Sequence, residues 1–405
     1  MSADIRVDSA SQHLEALCRF QPDRRPGSPG NRAATEYAAE VIARLGWKVT
    51  TPEFDCVDWD TDGGELLIAG VSVPITPSPY GLGAEATAPV RVLRRSADLE
   101  RTDLSGAIVV LADSLAAEPL TPRKYPFYSS EEHSRIIQRL EAAEPAAVLA
   151  VTGKYPALCG ALDPFPLIED GDFAIPTGNV RPADAGPLLG EEDEQASLAI
   201  RSERRQARAQ NVIAVRGNQC DRITVAAHID TKPGTPGAVD NAAGVVVLFL
   251  LAEKLADADP PIGVELLIVN GEDHYGAPGE LDWLAANEGR LDDIRLFLNI
   301  DGAGYRGGGS AYSTYNLDLA VECHVESVFA TKPSLMQGPD FYLSDHAIFA
   351  MQGRPAMAIT TELVDEMLDE LFHAPTDTPD QVDVTLLLDI SDAVADLITM
   401  WPPSE

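Results

Sequence analysis

The sequence predicts a mixed α/β fold: a three-layer αβα sandwich on a central, mostly parallel sheet, interrupted by a β-rich insertion. Three observations carry this expectation. Apolar strand-like runs at 211–215, 222–227, 264–270, 295–300 and 355–360 alternate with helix-like stretches at 241–255, 280–286, 345–351 and 386–400. That alternation builds parallel sheets covered by helices. Near the start, Ala34, Tyr37, Ala38, Val41, Ile42 and Leu45 share one helical face, and Gly46 and an alternating strand-like run at 47–54 follow. Between these two parts the apolar runs become short and are broken by Pro and Gly. A chain of 405 residues exceeds what one simple core accommodates. The expected organisation is one discontinuous domain, 1–54 with 206–405, and an inserted domain, 55–205.

Within the insertion, runs at 65–69, 71–75, 89–93, 107–112 and 146–151 read as strands. Residues 130–144 read as a helix, with Ser129 and Glu132 spaced as a capping box. The Arg-rich stretch 201–208 reads as an exit strand or linker, with a basic binding patch as the other reading. The longest apolar stretch, 244–252, reads as a buried helix and is well short of the ~20 residues a membrane span needs. Repeats and low-complexity segments are not seen.

The formal net charge is −34, from 64 acidic against 30 basic residues. Such a surface repels nucleic acid and anionic membranes, so neither is an expected partner. It reads as a solvated acidic shell suited to high salt, where the Debye length shrinks to about 3 Å at 1 M. An acidic patch for cationic substrates is the other reading. The five Cys are scattered and show no C-x-x-C spacing, which fits a reducing compartment. With no signal-peptide pattern at the start, a cytoplasmic location is expected.

Chemistry concentrates at the ends of the apolar runs. His228 ends the run at 222–227, Glu272 and Asp273 follow 264–270, and Asp301 follows 295–300. Asp240 opens a helical stretch, and His373 lies in a loop. Sites in open α/β sheets form outside the carboxyl ends of parallel strands, so these residues are expected to converge. Two His and three carboxylates suit Zn²⁺ or a similar divalent ion, with Co²⁺ or Mn²⁺ tolerated, and the remaining Glu suits a general base. Asp230, two residues after His228, could orient that imidazole. Other readings stand beside these: Asp240 as a helix N-cap, Asp301 as a turn residue, and Glu272–Asp273 as a polar loop start. His274 lines the cleft or is incidental, and His346 reads as structural. Tyr305, Arg306, Phe341 and Tyr342 either contact substrate or pack.

Taken together, the order H-x-D, G-A-x-D-N-A-x-G, E-D after a strand, N-x-D-G, S-D-H and H-x-P-x-D resembles the M28 family of co-catalytic zinc peptidases, which includes bacterial aminopeptidases. The resemblance covers roughly 20–52 and 206–400. It implies that Asp240 bridges two Zn²⁺ ions, that His228 and Asp301 complete one site and Asp273 and His373 the other, and that Glu272 is the general base acting on a peptide substrate. The chain departs from the commonest pattern at Asp273, where Glu is usual, and at Ala277-Pro-Gly, where many members have Gly-Ser. Segments starting at Leu104, Ala146 and Ala174 resemble a protease-associated domain. The alternatives are an M20-like carboxypeptidase or dipeptidase, a glutaminyl-cyclase-like acyl transferase, and a catalytically inactive M28-like binding protein.

Overall fold

A computed structural model describes residues 3–20, 23–126, 130–152, 166–190 and 193–402. Ser129 and Cys159 lie outside the described residues. The chain divides into two compact units, Met1–Cys56 with Arg208–Glu405, and Val57–Ala207.

The larger unit is built on eight strands: β1 (Lys48–Thr50), β2 (Val212–Arg216), β3 (Arg222–His228), β4 (Gly263–Val269), β5 (Ile294–Ile300), β6 (Ser310–Tyr315), β7 (Leu335–Gln337) and β8 (Ala356–Thr361). They form one sheet in the order β1-β2-β4-β3-β5-β8-β6-β7. The centre, β4-β3-β5-β8, is parallel throughout. Every residue of β3 and β4 is buried, as expected where helices cover both faces.

The helices are α1 (Ala3–Cys18), α2 (Pro29–Arg44), α3 (Ala243–Lys254), α4 (Pro278–Ala286), α5 (Leu319–Phe329), α6 (His346–Met351), α7 (Val364–Glu370) and α8 (Val384–Thr399). α3 packs against β3 and contacts α1, α2 and α8, which explains why residues 243–252 are buried all round. α4 and α6 cover β5 through Trp283, Phe297 and Phe349, the last two stacked at 4.5 Å. Among the described residues, no helix is long and apolar enough to cross a membrane.

The smaller unit is a closed seven-stranded barrel in the order 53–68, 71–77, 177–180, 147–151, 108–111, 84–93 and 195–210. Its core is Leu66, Ile68, Val90, Ile108, Leu149 and their neighbours. The helix Glu131–Ala143 is capped by Ser130, whose hydroxyl accepts from the His133 N–H, so the cap sits one residue later than the sequence suggests.

One other sequence expectation is corrected, and one of two open readings is decided. The single strand expected at 47–54 is two, β1 and 53–68, broken at Pro52, which has no N–H to donate to a ladder. The stretch at 201–208, read as an exit strand or linker, is a strand, part of the 16-residue Gln195–Gln210. Arg201, Arg205 and Arg208 are exposed there, while Arg204 is half-buried and donates to the Tyr80 and Phe173 carbonyls.

Arg24 went unnoticed in the sequence, yet it is only 1% exposed. Its guanidinium donates to the carbonyls of Ile229 (2.8 Å), Leu17 (3.1 Å), Pro236 (2.6 Å) and Gly237 (2.8 Å). It thereby fixes the segment leading to Asp240. Arg24→Met should cost about 3–5 kcal/mol, because a buried carbonyl left without its donor costs ~1–3 kcal/mol. A denaturant midpoint within error of wild type would count against this role.

Candidate metal centre

His228 ends β3, Asp301 follows β5, and Glu272–Asp273 follow β4 after Asn270 and Gly271. The parallel register therefore brings three strand ends to one edge of the sheet. Asp240 lies in an irregular turn, Ala238–Ala242, before α3, with non-helical backbone angles at Asp240 and Asn241. The Asp240–Asn241 peptide is cis. The N-cap work falls to Asn241, not Asp240. Asn241 Oδ1 accepts from the Gly244 N–H at 3.1 Å, and Asn241 Nδ2 donates to the Ile300 carbonyl at 2.8 Å. A Cβ at Gly244 would meet Asn241 Oδ1 at 2.4 Å and the Ile300 carbonyl at 2.5 Å, so only glycine fits there. His373 reaches the site from the loop after α7.

The two oxygens of Asp240 face different imidazoles. Oδ1 is 3.1 Å from His228 Nε2, and Oδ2 is 3.2 Å from His373 Nε2. Asp301 Oδ1 stands 3.3 Å from His228 Nε2, and Asp273 Oδ1 stands 2.8 Å from His373 Nε2. Two triads result, His228–Asp240–Asp301 and Asp240–Asp273–His373, each with its ligand atoms within 4.8 Å of one another. Glu272 belongs to neither, but its Oε2 lies 3.9 Å from His228 Nε2.

The donor set suits a cation. Asp240, Asp273, Asp301 and Glu272 are buried, and no Arg or Lys among the described residues pairs with them. Asp273 Oδ2 is buried and has no hydrogen-bond partner. Four carboxyls facing two imidazoles leave negative charge that burial makes costly unless a cation offsets it.

The electrostatics follow from this crowding. Burial pushes the Glu272 carboxyl well above the usual range; Asp301, Asp273 and Asp345 add to the rise, and His228 opposes it. Burial also disfavours charged imidazoles, but the facing carboxylates outweigh it, and both His228 and His373 are raised well above 6.5. Burial raises Asp240 too, but the hydrogen bonds from His228 and His373 prevail and hold it low. Behind Glu272, the Glu280 and Asp345 carboxyls are buried, and Glu280 Oε2 and both Asp345 oxygens have no hydrogen-bond partner. Burial raises both, Asp345 to about 7, and Asp345 raises Glu280 further.

Two further aspartates shape the site. The sequence suggested that Asp230 orients His228, but its Oδ1 is 3.7 Å from Nδ1, too long for a hydrogen bond. Its carboxylate instead accepts from the N–H groups of Gly271 (2.6 Å), Glu272 (3.2 Å) and Asp273 (3.0 Å), and so shapes the turn that carries two site residues. Asp377 does the same for Asp240, accepting from the N–H groups of Val239 at 2.8 Å and Asp240 at 3.0 Å. Asp377 was visible in the sequence only as a neighbour of His373. His346 is buried and donates to the Phe341 carbonyl, the structural role expected of it. Arg306 is bound to the Asp380 and Val382 carbonyls, and Tyr342 is 45% exposed.

Fold and site together define a class: an α/β protein with a His–carboxylate metal-type centre at the carboxyl ends of its parallel strands. Residues 211–398 match the model of Peptidase family M28. The chain is 23% identical to "Probable lipoprotein aminopeptidase LpqL" of Mycobacterium tuberculosis, over 95% of this chain and 82% of that protein. Among solved structures it resembles BSAP, a zinc aminopeptidase from Bacillus subtilis, with TM-score 0.74 and 20% identity over 97% of this chain and 94% of that one. It also resembles Fimbriiglobus ruber glutaminyl cyclase, with TM-score 0.53 and 14% identity over 98% and 95%. Residues 211–398, the part of the chain that carries both metal-type triads, thus match peptidase family M28.

Proposed function

We propose that this protein is a metal-dependent aminopeptidase that holds two Zn²⁺ ions per chain. The carrying observation is the division of Asp240 between two triads, one oxygen to each. His228 and Asp301 would complete one ion's ligands, and Asp273 and His373 the other's. The bound ions would supply Lewis acidity to the scissile carbonyl and ease deprotonation of water.

The remaining chemistry belongs to side chains. Glu272 would take a proton from the attacking water and deliver it to the departing amine. Its raised pKa suits both halves of that transfer. Asp230 would hold Glu272 and Asp273 in register through their N–H groups, and Asp377 would hold Asp240. The Glu280 and Asp345 carboxyls, both raised by burial, would favour the protonated form of Glu272 once it has taken the water's proton. The inserted barrel fits a protease-associated domain, and the free Cys18, Cys220 and Cys323 fit a reducing, cytoplasmic setting.

Elemental analysis of refilled protein should give two ions per chain, with hydrolysis of free-amine aminoacyl and peptide substrates and none of N-blocked ones. About one ion with glutamine cyclisation would replace this reading with the acyl transferase. Release of C-terminal residues would replace it with a carboxypeptidase. Metal-loaded protein inert on the whole panel at high salt would leave a binding protein.

The pH dependence of loading has a definite sign. In the metal-free protein both imidazoles are raised, so they stabilise the fold at pH below their unfolded values, and this contribution is lost as pH rises through their folded values. Metal must displace those protons. Affinity should therefore increase with pH through the neutral range, with about one proton released per imidazole. Calorimetry in buffers of different ionisation enthalpy measures that number; zero released protons would remove both His from the ligand set.

A further inference from the structure

A cavity of about 600 Å³ lies apart from the metal-type triads, between α1, the start of α8 and the loop 378–382. That volume lies within the ≈ 300–1,000 Å³ typical of small-molecule sites. Leu14, Pro236, Val382 and Val384 give it an apolar lining, and Arg306 and Asp380 also line it. The ionic groups there are not equivalent. Glu15 and Arg19 satisfy each other at 2.6 Å. Arg306 is held by two main-chain carbonyls, each at 2.8 Å, and has no carboxylate partner among the described residues, although acidic residues outnumber basic ones 64 to 30. The Asp380 carboxylate accepts from the Thr378 hydroxyl at 2.6 Å and has no cationic partner among the described residues.

One fixed guanidinium, one uncompensated carboxylate and an apolar lining match a small molecule carrying a carboxylate, an ammonium and a branched hydrocarbon. We infer that this cavity binds a free apolar α-amino acid as its zwitterion. The carboxylate meets Arg306, the ammonium meets Asp380, and the side chain lies against Leu14, Val382 and Val384. Under the proposed aminopeptidase reading, on which this assignment of meaning rests, such an amino acid is a reaction product. Pro236 and Thr378 adjoin the segments that hold Asp240, since Arg24 binds the Pro236 carbonyl and Asp377 binds the Asp240 N–H. An occupant therefore touches Pro236, whose carbonyl Arg24 binds, and Thr378, the residue after Asp377.

The test is calorimetric titration of L-leucine into the chelator-treated full chain, which keeps binding separate from peptidase activity. Leucine should bind at one site per chain. 4-Methylpentanoate, which lacks the ammonium, and 3-methylbutylamine, which lacks the carboxylate, should each bind at least about tenfold more weakly, in line with the ~1.4 kcal/mol or more expected of a charged contact. Val384→Trp and, from the other wall, Ser11→Tyr should abolish leucine binding while metal-loaded activity persists. Two variants on separate elements guard against one failing to fold. No leucine binding by wild type, equal binding of the analogues, or undiminished binding in the folded variants overturns the inference. Leucine binding in a protein without peptidase activity would leave this site standing and remove the proposed function instead.

Discussion

Glu272→Gln should lower turnover about 10²–10⁴-fold while leaving metal content near wild type, because general-base contributions are of that size. Glu272 is 8% exposed, stands outside both triads, and approaches His228 only to 3.9 Å. Gln preserves its shape and the backbone hydrogen bond to Asp230, which runs through the N–H and not the side chain. The substitution therefore removes the proton acceptor and little else. KM should change far less than kcat, the pattern of an interaction used in the transition state. Near-normal turnover in this variant would take Glu272 out of the role. A loss of metal together with turnover would instead make it a ligand.

Asp240→Ala should be the most damaging change among the ligand residues. Its two oxygens serve separate triads, so one substitution weakens both sites, whereas His228→Ala or Asp301→Ala should mainly weaken one and His373→Ala or Asp273→Ala the other. Metal content after mild chelation and refilling should fall below one ion per chain, against about one for the other variants. Activity should fall ~10³-fold or more, as several kcal/mol of transition-state stabilisation are lost with the ions. Wild-type retention of two ions by Asp240→Ala would end the bridging assignment and the two-metal reading with it. Asp377→Ala, which removes two hydrogen bonds to the same turn, offers a milder comparison.

The elements most legible without coordinates were those whose burial is uniform. β3, β4 and β5 stand within one residue of their expected starts, because strands covered on both faces are predominantly apolar. α3 was legible for the same reason. The strand Gln195–Gln210 was less sharply legible, because Arg201, Arg204, Arg205 and Arg208 interrupt its apolar alternation, and one of them, Arg204, donates to the Tyr80 and Phe173 carbonyls. β6, with Ser310, Ser313 and Thr314 among its residues, gave too little hydrophobic contrast to announce itself.

At the candidate site, the chain order determined which residues are chemically competent. His228, Asp240, Glu272, Asp273, Asp301 and His373 carry their ligand or proton chemistry in the side chain itself, and strand ends gave them a common place to meet. Tertiary structure decided how they are held. Asp230 lies two residues from His228, yet it binds the turn after β4, because parallel pairing of β3 and β4 brings that turn's N–H groups closer than the imidazole. Asp377 supports Asp240 across 137 residues, and Arg24 gathers carbonyls more than 200 positions away. Such contacts leave no local periodicity. They arise from the need to satisfy buried polar groups once the chain is packed, and which groups are buried is settled only by the fold.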